Sequence, residues 1–153
     1  MITPKSILFV CLGNICRSPS AEGVMRAKCK QAGLDITIDS AGTADYHIGE
    51  QPDSRAIAVG KQLGYQLENL QARQVKPDDF HQFDIIFAMD DSNLANLQKL
   101  QAAVVQPTAK LLSFDPSGQI ADPYYGDKND FVKMFDHIIK VTDNWLKLWQ
   151  SYS

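Results

Sequence analysis

The chain has few cysteines, no long hydrophobic run and no excess of basic residues. Its 153 residues include three cysteines, an odd number that does not suit the disulfide framework of a small secreted protein. No apolar stretch approaches the roughly 20 residues of a transmembrane helix, and residues 1–6 are too short and too polar for a signal peptide. We therefore expect a cytoplasmic protein that has no membrane partner and keeps its thiols reduced.

The shortage of positive charge argues against a nucleic-acid partner. The chain has 15 Lys and Arg against 18 Asp and Glu, so its formal net charge is -3 and it offers no broad basic surface. Its three histidines, His47, His81 and His137, are isolated in sequence, whereas a zinc site needs three or four clustered ligands. We expect these histidines on the surface or in loops, and we expect neither a metal nor an organic cofactor.

The composition that is present suits one folded domain. Hydrophobic residues make up 44% of the chain and charged residues 22%, which argues against a disordered protein. The length suits one sizeable core, and no linker or internal repeat interrupts the pattern. We predict a single domain over residues 1–153, and we expect a monomer.

Alternating strand and helix patterns predict an α/β domain with a mainly parallel sheet. Strand patterns cover residues 7–10, 34–38, 85–89 and 110–114, and helical patterns cover residues 18–32, 52–63, 92–101 and 129–150. The last helix carries an aromatic stripe, which we interpret as core in preference to a partner-binding face.

The most informative segment follows the first strand and reads Cys11-Leu12-Gly13-Asn14-Ile15-Cys16-Arg17-Ser18. It leads into Ser18-Pro19, which is typical of a helix start because Ser can cap a helix and Pro suits the first helical position. A loop of this length between a strand and a helix can curl around a tetrahedral anion, with backbone N–H groups and the helix N-terminus pointing inward. Arg17 would add a two-pronged contact with two anion oxygens.

These surroundings favour the thiolate form of Cys11, which would make it a nucleophile at neutral pH. The simpler alternative is that Cys11 is a small buried residue at a strand end and that Arg17 is a solvated helix residue. The preceding strand, together with Gly13, Asn14 and Ser18 in the loop, favours the nucleophile.

A second motif lies far downstream at Asp122-Pro123-Tyr124-Tyr125-Gly126. With these two motifs the chain resembles the low molecular weight protein tyrosine phosphatases, and the segments at residues 39–43, 72–74 and 89–93 resemble that family in the expected order. The resemblance covers essentially the full chain. It implies a four-stranded parallel sheet of order 2-1-3-4 with helices on both faces. The Cys11 loop would then lie at the switch point where open α/β sheets bind ligands.

The resemblance also implies a two-step reaction on phosphotyrosine in proteins. Cys11 attacks phosphorus while Asp122 protonates the leaving phenol, and Asp122 then acts as a base on the water that cleaves the thiophosphate. Proton donation matters because expelling a phenolate is costly when the phenol has a pKa near 10. Taken alone, the Asp122 motif would favour a surface turn with exposed tyrosines, and it is the presence of the Cys11–Ser18 loop that favours the catalytic interpretation. Phosphate or another oxyanion would contact the loop residues Leu12, Gly13, Asn14, Ile15, Cys16, Arg17 and Ser18.

Several residues would support this loop. Ser18 would donate a hydrogen bond to the Cys11 thiolate, although a simple role as helix cap is an alternative. Asn14 tolerates a left-handed backbone, and the resemblance suggests that it braces the loop through Ser40.

Two further positions bear on the same support. Asp90 follows the buried strand and would either orient Arg17 or cap the next helix. Many relatives have a histidine where this chain has Leu70, so one brace of the loop is expected to be absent.

Substrate specificity rests on aromatic residues. Tyr46 aligns with a variable aromatic residue of the family, and a phosphotyrosine ring could lie between Tyr46 and Tyr124 or Tyr125. An ordinary exposed loop tyrosine is the alternative for Tyr46.

Three rival functions compete with phosphotyrosine hydrolysis. Protein-arginine phosphatases resemble this chain but carry Thr where Ile15 stands, and thiol-dependent arsenate reductases use extra cysteines in a downstream segment, whereas no cysteine follows Cys29. The third rival is a phosphotyrosine-binding module without turnover. The presence of Cys11, Arg17 and Asp122 argues against it.

The loop also carries a second thiol. Cys16 could form a disulfide with oxidised Cys11 and protect it from irreversible oxidation, which would make the protein redox-sensitive. The alternative is that Cys16 is a small residue that fills the loop.

Overall fold

Strands and helices alternate through the described part of the chain, which is residues 2–152 of a computed structural model. The elements are β1 (Ser6–Cys11), α1 (Arg17–Ala32), β2 (Thr37–Gly42), α2 (Ser54–Leu63), α3 (Asp79–Gln82), β3 (Ile85–Ala88), α4 (Asp91–Ala102), β4 (Lys110–Ser113) and α5 (Lys128–Gln150). The predicted alternation is therefore confirmed. The predicted outer bounds, Met1 and Ser153, lie outside the described residues.

The strands form one parallel sheet in the order β2-β1-β3-β4, as the resemblance implied. β1 lies between two neighbours, so that Phe9 is opposite both Ser40 of β2 and Phe87 of β3. Parallel neighbours need crossover connections, and these place helices on the faces of the sheet.

Both faces of the sheet are covered by helices. Ile7 and Phe9 of β1 point into a core shared with α1, α2 and α5, whereas Leu8 and Val10 point into a second core with α3 and α4. Buried side chains therefore run continuously along β1, which is why its sequence is apolar without alternation.

The aromatic stripe of α5 is core, as expected. Its buried members are Phe131, Phe135, Ile138, Trp145, Leu146 and Trp149, with Ile139 partly buried against them. The Trp145 ring lies 5.0 Å from that of Phe87, and its indole N–H donates to the Phe114 carbonyl at 2.7 Å. α5 is thereby fixed to the segment that follows β4.

The predicted start of the second strand, at residue 34, is wrong. β2 begins at Thr37, where pairing with β1 begins. Leu34 belongs instead to the end of α1, because its N–H donates to the Cys29 carbonyl at 2.9 Å while Gly33 adopts a left-handed conformation with φ of 71°.

Other element bounds differ by one or two residues. The helix predicted over 52–63 begins at Ser54, since the Asp53 side chain accepts a hydrogen bond from the Arg55 N–H and caps it. The short helix α3 was not predicted, because a single turn shows no periodicity. Among the helices of residues 2–152, none is long and apolar enough to cross a membrane.

Candidate active site

The candidate residues meet at the carboxyl edge of the sheet. Cys11 is the last residue of β1, Arg17 is the first of α1, and Asp90 follows β3. Asp122 lies in the segment between β4 and α5, and its carboxylate is 3.6 Å from the Arg17 guanidinium. The structure thus brings together side chains that are more than one hundred positions apart in sequence.

The start of α1 differs from the prediction. The helix begins at Arg17, its cap residue is Cys16 and no side chain caps it, so Ser18 and Pro19 lie inside the first turn. The hydroxyl of Ser18 cannot serve as a cap because it is engaged within the loop, 3.0 Å from the Cys11 sulfur.

The Ser18 hydroxyl is within hydrogen-bond distance of the Cys11 sulfur and can donate to it. Its oxygen accepts a hydrogen bond from the Asn14 side-chain amide at 2.7 Å, so its own proton is directed either to Cys11 at 3.0 Å or to the Ala41 carbonyl at 3.4 Å. When Cys11 is ionised, the charged acceptor attracts the proton more strongly. This arrangement stabilises a thiolate.

Asn14 braces the loop as expected. Its φ of 58° is in the left-handed region, and its amide also donates to the Ser40 hydroxyl at 2.9 Å. Its side-chain oxygen accepts from the Arg73 backbone N–H at 3.0 Å. One buried side chain therefore links the loop to β2 and to the segment that contains Arg73.

A buried carboxylate that was not predicted completes this network. Ser40 donates to Glu22 at 2.7 Å, and Glu22 in turn pairs with Arg26 on the same helix. Burial raises the pKa of Glu22, while the hydrogen bonds from Ser40 and Arg26 oppose that shift. The i, i+4 spacing of Glu22 and Arg26 was a signal for this pair.

Leu70 stands where many relatives have a histidine. Its side chain packs against the apolar core and, being a hydrocarbon, makes no hydrogen bond to the loop.

Arg17 is buried, with 3% of its surface exposed. Its Nη1 donates to Asp90 at 2.6 Å and to the Ile120 carbonyl at 3.2 Å. Burial alone would lower the pKa of Arg17, but the negative charges of Cys11 and Asp90 outweigh burial and raise it. Asp90 also accepts from the Asn93 N–H at 2.7 Å as the cap of α4, so both roles considered for it occur together.

The backbone of the loop keeps its donors available. Among the hydrogen bonds of residues 2–152, none uses a backbone N–H of residues 12–18 as the donor. Together with the guanidinium of Arg17, these N–H groups can serve a tetrahedral anion seated above Cys11.

Asp122 is held at the opposite side of the same pocket. One carboxylate oxygen accepts from the Tyr124 N–H at 3.2 Å, and the other faces Arg17 at 3.6 Å. The side chain is 40% exposed. Its carboxyl group is therefore accessible both to a bound molecule and to solvent.

The pocket has a volume of about 300 Å³. It is lined by Cys11, Leu12, Gly13, Ile15, Cys16, Arg17, Tyr46, His47, Asp122, Tyr124 and Tyr125. Tyr46 is 70% exposed and Tyr125 94% exposed, so these two rings form the rim and Tyr124, 38% exposed, lies closer to the interior. The three predicted tyrosines are thus assembled around one opening.

The expectation for the histidines was incomplete. His47 is in a loop, but it lines the pocket beside Gly13 and pairs with Glu50 at 2.8 Å. No sequence signal distinguished it from the other two, because its position depends on how the loop after β2 folds back. His81 and His137 lie elsewhere and bond to Val105 and Asp115.

The three cysteines are buried free thiols. Burial raises the pKa of Cys16, and the nearby negative charges of Asp53 and Cys11 add to the shift, so Cys16 stays protonated at neutral pH. Its disulfide with Cys11 stays a prediction. Within residues 2–152 no group of three His, Cys, Asp or Glu side chains is placed to hold a metal ion.

Sequence comparison identifies relatives over nearly the whole chain. Residues 6–151 match the family described as low molecular weight phosphotyrosine protein phosphatase. A protein of that name from Schizosaccharomyces pombe is 42% identical over 148 residues, which cover 92% of this chain and 94% of that protein.

Solved structures show the same fold. A protein tyrosine phosphatase from Entamoeba histolytica, with Hepes in its active site, matches with a TM-score of 0.87 and 38% identity. The match covers 97% of this chain and 99% of that protein. A Drosophila arginine phosphatase matches with a TM-score of 0.89 and 32% identity, and the match covers 94% of this chain and 96% of that protein. The fold is therefore compatible with more than one phosphoryl substrate.

Gly42 tests how the loop is supported. A Cβ atom on this residue would lie 2.7 Å from the Leu12 carbonyl oxygen and 3.1 Å from the Gly13 carbonyl carbon, and both are backbone atoms that can move only with the loop. We expect Gly42→Ala to weaken the binding of inorganic phosphate by about tenfold or more, as measured by isothermal titration calorimetry.

The matched control is Gly118→Ala, whose Cβ would meet only the Asp115 side chain, at 3.4 Å. Phosphate affinity should remain unchanged in this variant. Equal affinities in the wild type and in Gly42→Ala would show that the close approach of β2 does not shape the loop.

Proposed function

The chain belongs to the low molecular weight phosphotyrosine protein phosphatase family, and on this premise we propose that it hydrolyses phosphotyrosine in proteins through a phosphorylated Cys11. The observation that carries the proposal is the placement of the Cys11 sulfur 3.0 Å from the Ser18 hydroxyl, beside a buried Arg17 and a loop of free N–H groups.

In the first step, the Cys11 thiolate attacks phosphorus. An S–P bond forms as the bond from phosphorus to the tyrosyl oxygen breaks, and Asp122 gives its proton to that oxygen. The phenol then leaves as a neutral molecule. Asp122 suits this role because its carboxyl group lines the same pocket as the sulfur.

In the second step, a water molecule attacks the phosphorylated cysteine. Asp122, now a carboxylate, takes a proton from the water as the new P–O bond forms and the S–P bond breaks. The sulfur leaves as a thiolate, which accepts the hydrogen bond from Ser18. Inorganic phosphate is released and the enzyme returns to its starting state.

In both steps, Arg17 and the N–H groups of the loop stabilise the negative charge of the phosphoryl group that is transferred. The guanidinium of Arg17 is fixed by Asp90 and the Ile120 carbonyl, so it needs no reorganisation when an anion binds. Preorganised donors of this kind are commonly worth about 10² to 10³ in rate each.

The pocket favours phosphotyrosine over phosphoarginine. Ile15 presents an apolar side chain at its wall, and the tyrosines present aromatic rings, which suit a phenyl ring better than a charged guanidinium. The likeness to an arginine phosphatase lies in the fold, which the two activities share.

Arsenate reduction and phosphotyrosine binding without turnover have less support. A relay of downstream cysteines is required for arsenate reduction on this scaffold, and this chain has none after Cys29. A module that only binds phosphotyrosine would not need Asp122 beside Arg17.

We propose that the protein is a cytoplasmic monomer whose partners are phosphotyrosine proteins and phosphate or other oxyanions.

Cys11→Ser tests the proposed function directly. An alcohol is barely ionised at neutral pH, so this variant should lose turnover of phosphotyrosine peptides and p-nitrophenyl phosphate without added metal, by about 10⁴ or more. It should still bind inorganic phosphate, because the loop N–H groups and Arg17 remain. Substantial hydrolysis by a contaminant-free preparation would refute the nucleophile.

Asp122→Asn tests the proton donor. The value of kcat/KM for aryl phosphates reports the steps up to release of the phenol, so its loss should be largest, about 10² to 10⁴, for basic phenols and small for acidic ones. The measurement is kcat/KM across a series of phenol pKa values. A loss that does not depend on the leaving group would exclude Asp122 as the acid.

Ile15→Thr tests the choice between substrates. Replacing the apolar wall with a hydroxyl should lower kcat/KM for phosphotyrosine peptides by about tenfold and raise kcat/KM for phosphoarginine peptides. Ile48→Thr is the control, since Ile48 is exposed and does not line the pocket. A wild type that already prefers phosphoarginine would contradict the assignment.

A further inference from the structure

The two loops of the proposed reaction come from opposite ends of the chain and need a connection. Cys11 lies after the first strand, and Asp122 lies in the segment before the last helix. We propose that Arg55, at the start of α2, positions Asp122 relative to Cys11 by anchoring the segment that carries it. This inference rests on the proposed function and adds a positioning residue to it.

Arg55 holds the Asp122 segment through its backbone. Its Nη2 donates to the Tyr124 carbonyl at 3.0 Å and its Nη1 donates to the Gly126 carbonyl at 3.2 Å. These carbonyls follow Asp122 closely in the chain. The same turn is closed by the hydrogen bond from the Tyr124 N–H to Asp122 at 3.2 Å, so fixing the Tyr124 backbone also fixes the carboxyl group.

The guanidinium of Arg55 is itself held in place. Asp53 accepts from its Nε at 3.0 Å and from its Nη2 at 2.8 Å, which is the two-pronged geometry that orients a guanidinium plane. The ring of Phe131 lies 4.5 Å from the central carbon of the guanidinium, within the range of a cation–π contact. Arg55 therefore offers its donors in a fixed direction.

The same turn of chain also grips the nucleophile loop. The Asp53 backbone N–H donates to the Ile15 carbonyl at 2.8 Å. Asp53 and Arg55 thus connect the loop after β1 to the segment that bears Asp122. A displacement of the Asp122 segment relative to the Cys11 loop would have to break hydrogen bonds at the start of α2.

Arg55 acts through this connection and not by touching the substrate. It does not line the pocket that holds Cys11 and Asp122. All three of its side-chain nitrogens donate to protein acceptors, namely Asp53, Tyr124 and Gly126. The side chain is 37% exposed, so its loss leaves no cavity in the core.

Arg55→Met tests the inference because it keeps an apolar stem over Phe131 and removes every N–H donor. Loosening the Asp122 segment should impair protonation of the phenol. We expect kcat/KM to fall about tenfold for phenyl phosphate, whose leaving group is basic, and by less than about twofold for 2,4-dinitrophenyl phosphate. Phosphate affinity should be unchanged, since Arg17 and the loop N–H groups remain.

Lys61→Met is the matched control on the same helix. Lys61 is exposed and its side chain has no ion pair among the described residues, so this variant removes one positive charge without touching the Asp122 segment. Its kcat/KM should equal that of the wild type for both substrates, which separates positioning from a general charge effect.

A double variant shows whether the effect passes through Asp122. Adding Arg55→Met to Asp122→Asn should cause little further loss with phenyl phosphate, because the segment no longer carries an acid. Arg55→Lys, which retains the charge but cannot reach both carbonyls, should lie between wild type and Arg55→Met. If Arg55→Met fails to fold by circular dichroism, this variant alone carries the comparison of the two substrates.

Two results would overturn the inference: an equal loss for both aryl phosphates, or an undiminished loss in the Asp122→Asn background. An unaltered kcat/KM for phenyl phosphate in a folded Arg55→Met variant would do the same. Failure of the proposed function is distinguishable, because the wild type itself would then not hydrolyse aryl phosphates and the inference would fall with it before any variant is compared.

Discussion

The hydrogen bond between the Ser18 hydroxyl and the Cys11 sulfur depends on a network of buried polar contacts that reaches across the site. A hydroxyl stabilises a thiolate only if its proton points to the sulfur. Because Asn14 occupies the oxygen, the proton is left for Cys11 or for the Ala41 carbonyl, and an ionised Cys11 is the stronger acceptor. Asn14 in turn is held by Ser40 and by the Arg73 backbone. Each of these buried polar groups would be costly without a partner, so the network is stable only when it is complete, down to the Glu22–Arg26 pair at its far end.

The sheet order makes this network possible. β1 lies between β2 and β3, so the loop that follows it can receive a brace from β2, through Ser40, and an orienting carboxylate from the end of β3, through Asp90. At an edge position the loop would have had one neighbour only. The switch point of the sheet is thus where a curled loop can be supported from both sides, which is a physical reason for the binding sites found there.

Much of this arrangement could be predicted from local sequence, because strand and helix periodicity and the run from Cys11 to Ser18 involve neighbouring residues. The sheet order and the role of Asp122 came from the family resemblance. What could not be predicted depends on contacts between distant segments. Ser18 resembles a helix cap in sequence, and only the approach of Cys11 and Asn14 gives it another role. Gly42 and Arg55 carried no local signal, since their importance lies in the backbone that each meets.

Two carboxylates face one guanidinium, and their geometry separates their roles. Asp90 lies 2.6 Å from Arg17, is partly buried, and also caps α4, so both of its oxygens are bound and it orients the guanidinium. Asp122 lies 3.6 Å away, is 40% exposed, and is held on one oxygen by a backbone N–H. Its second oxygen remains accessible to a leaving group or a water molecule. Because a proton donor must gain and lose its proton in every cycle, the looser carboxylate suits catalysis and the tighter one suits support. That looseness leaves Asp122 in need of an anchor outside the pocket, and the start of α2 provides it.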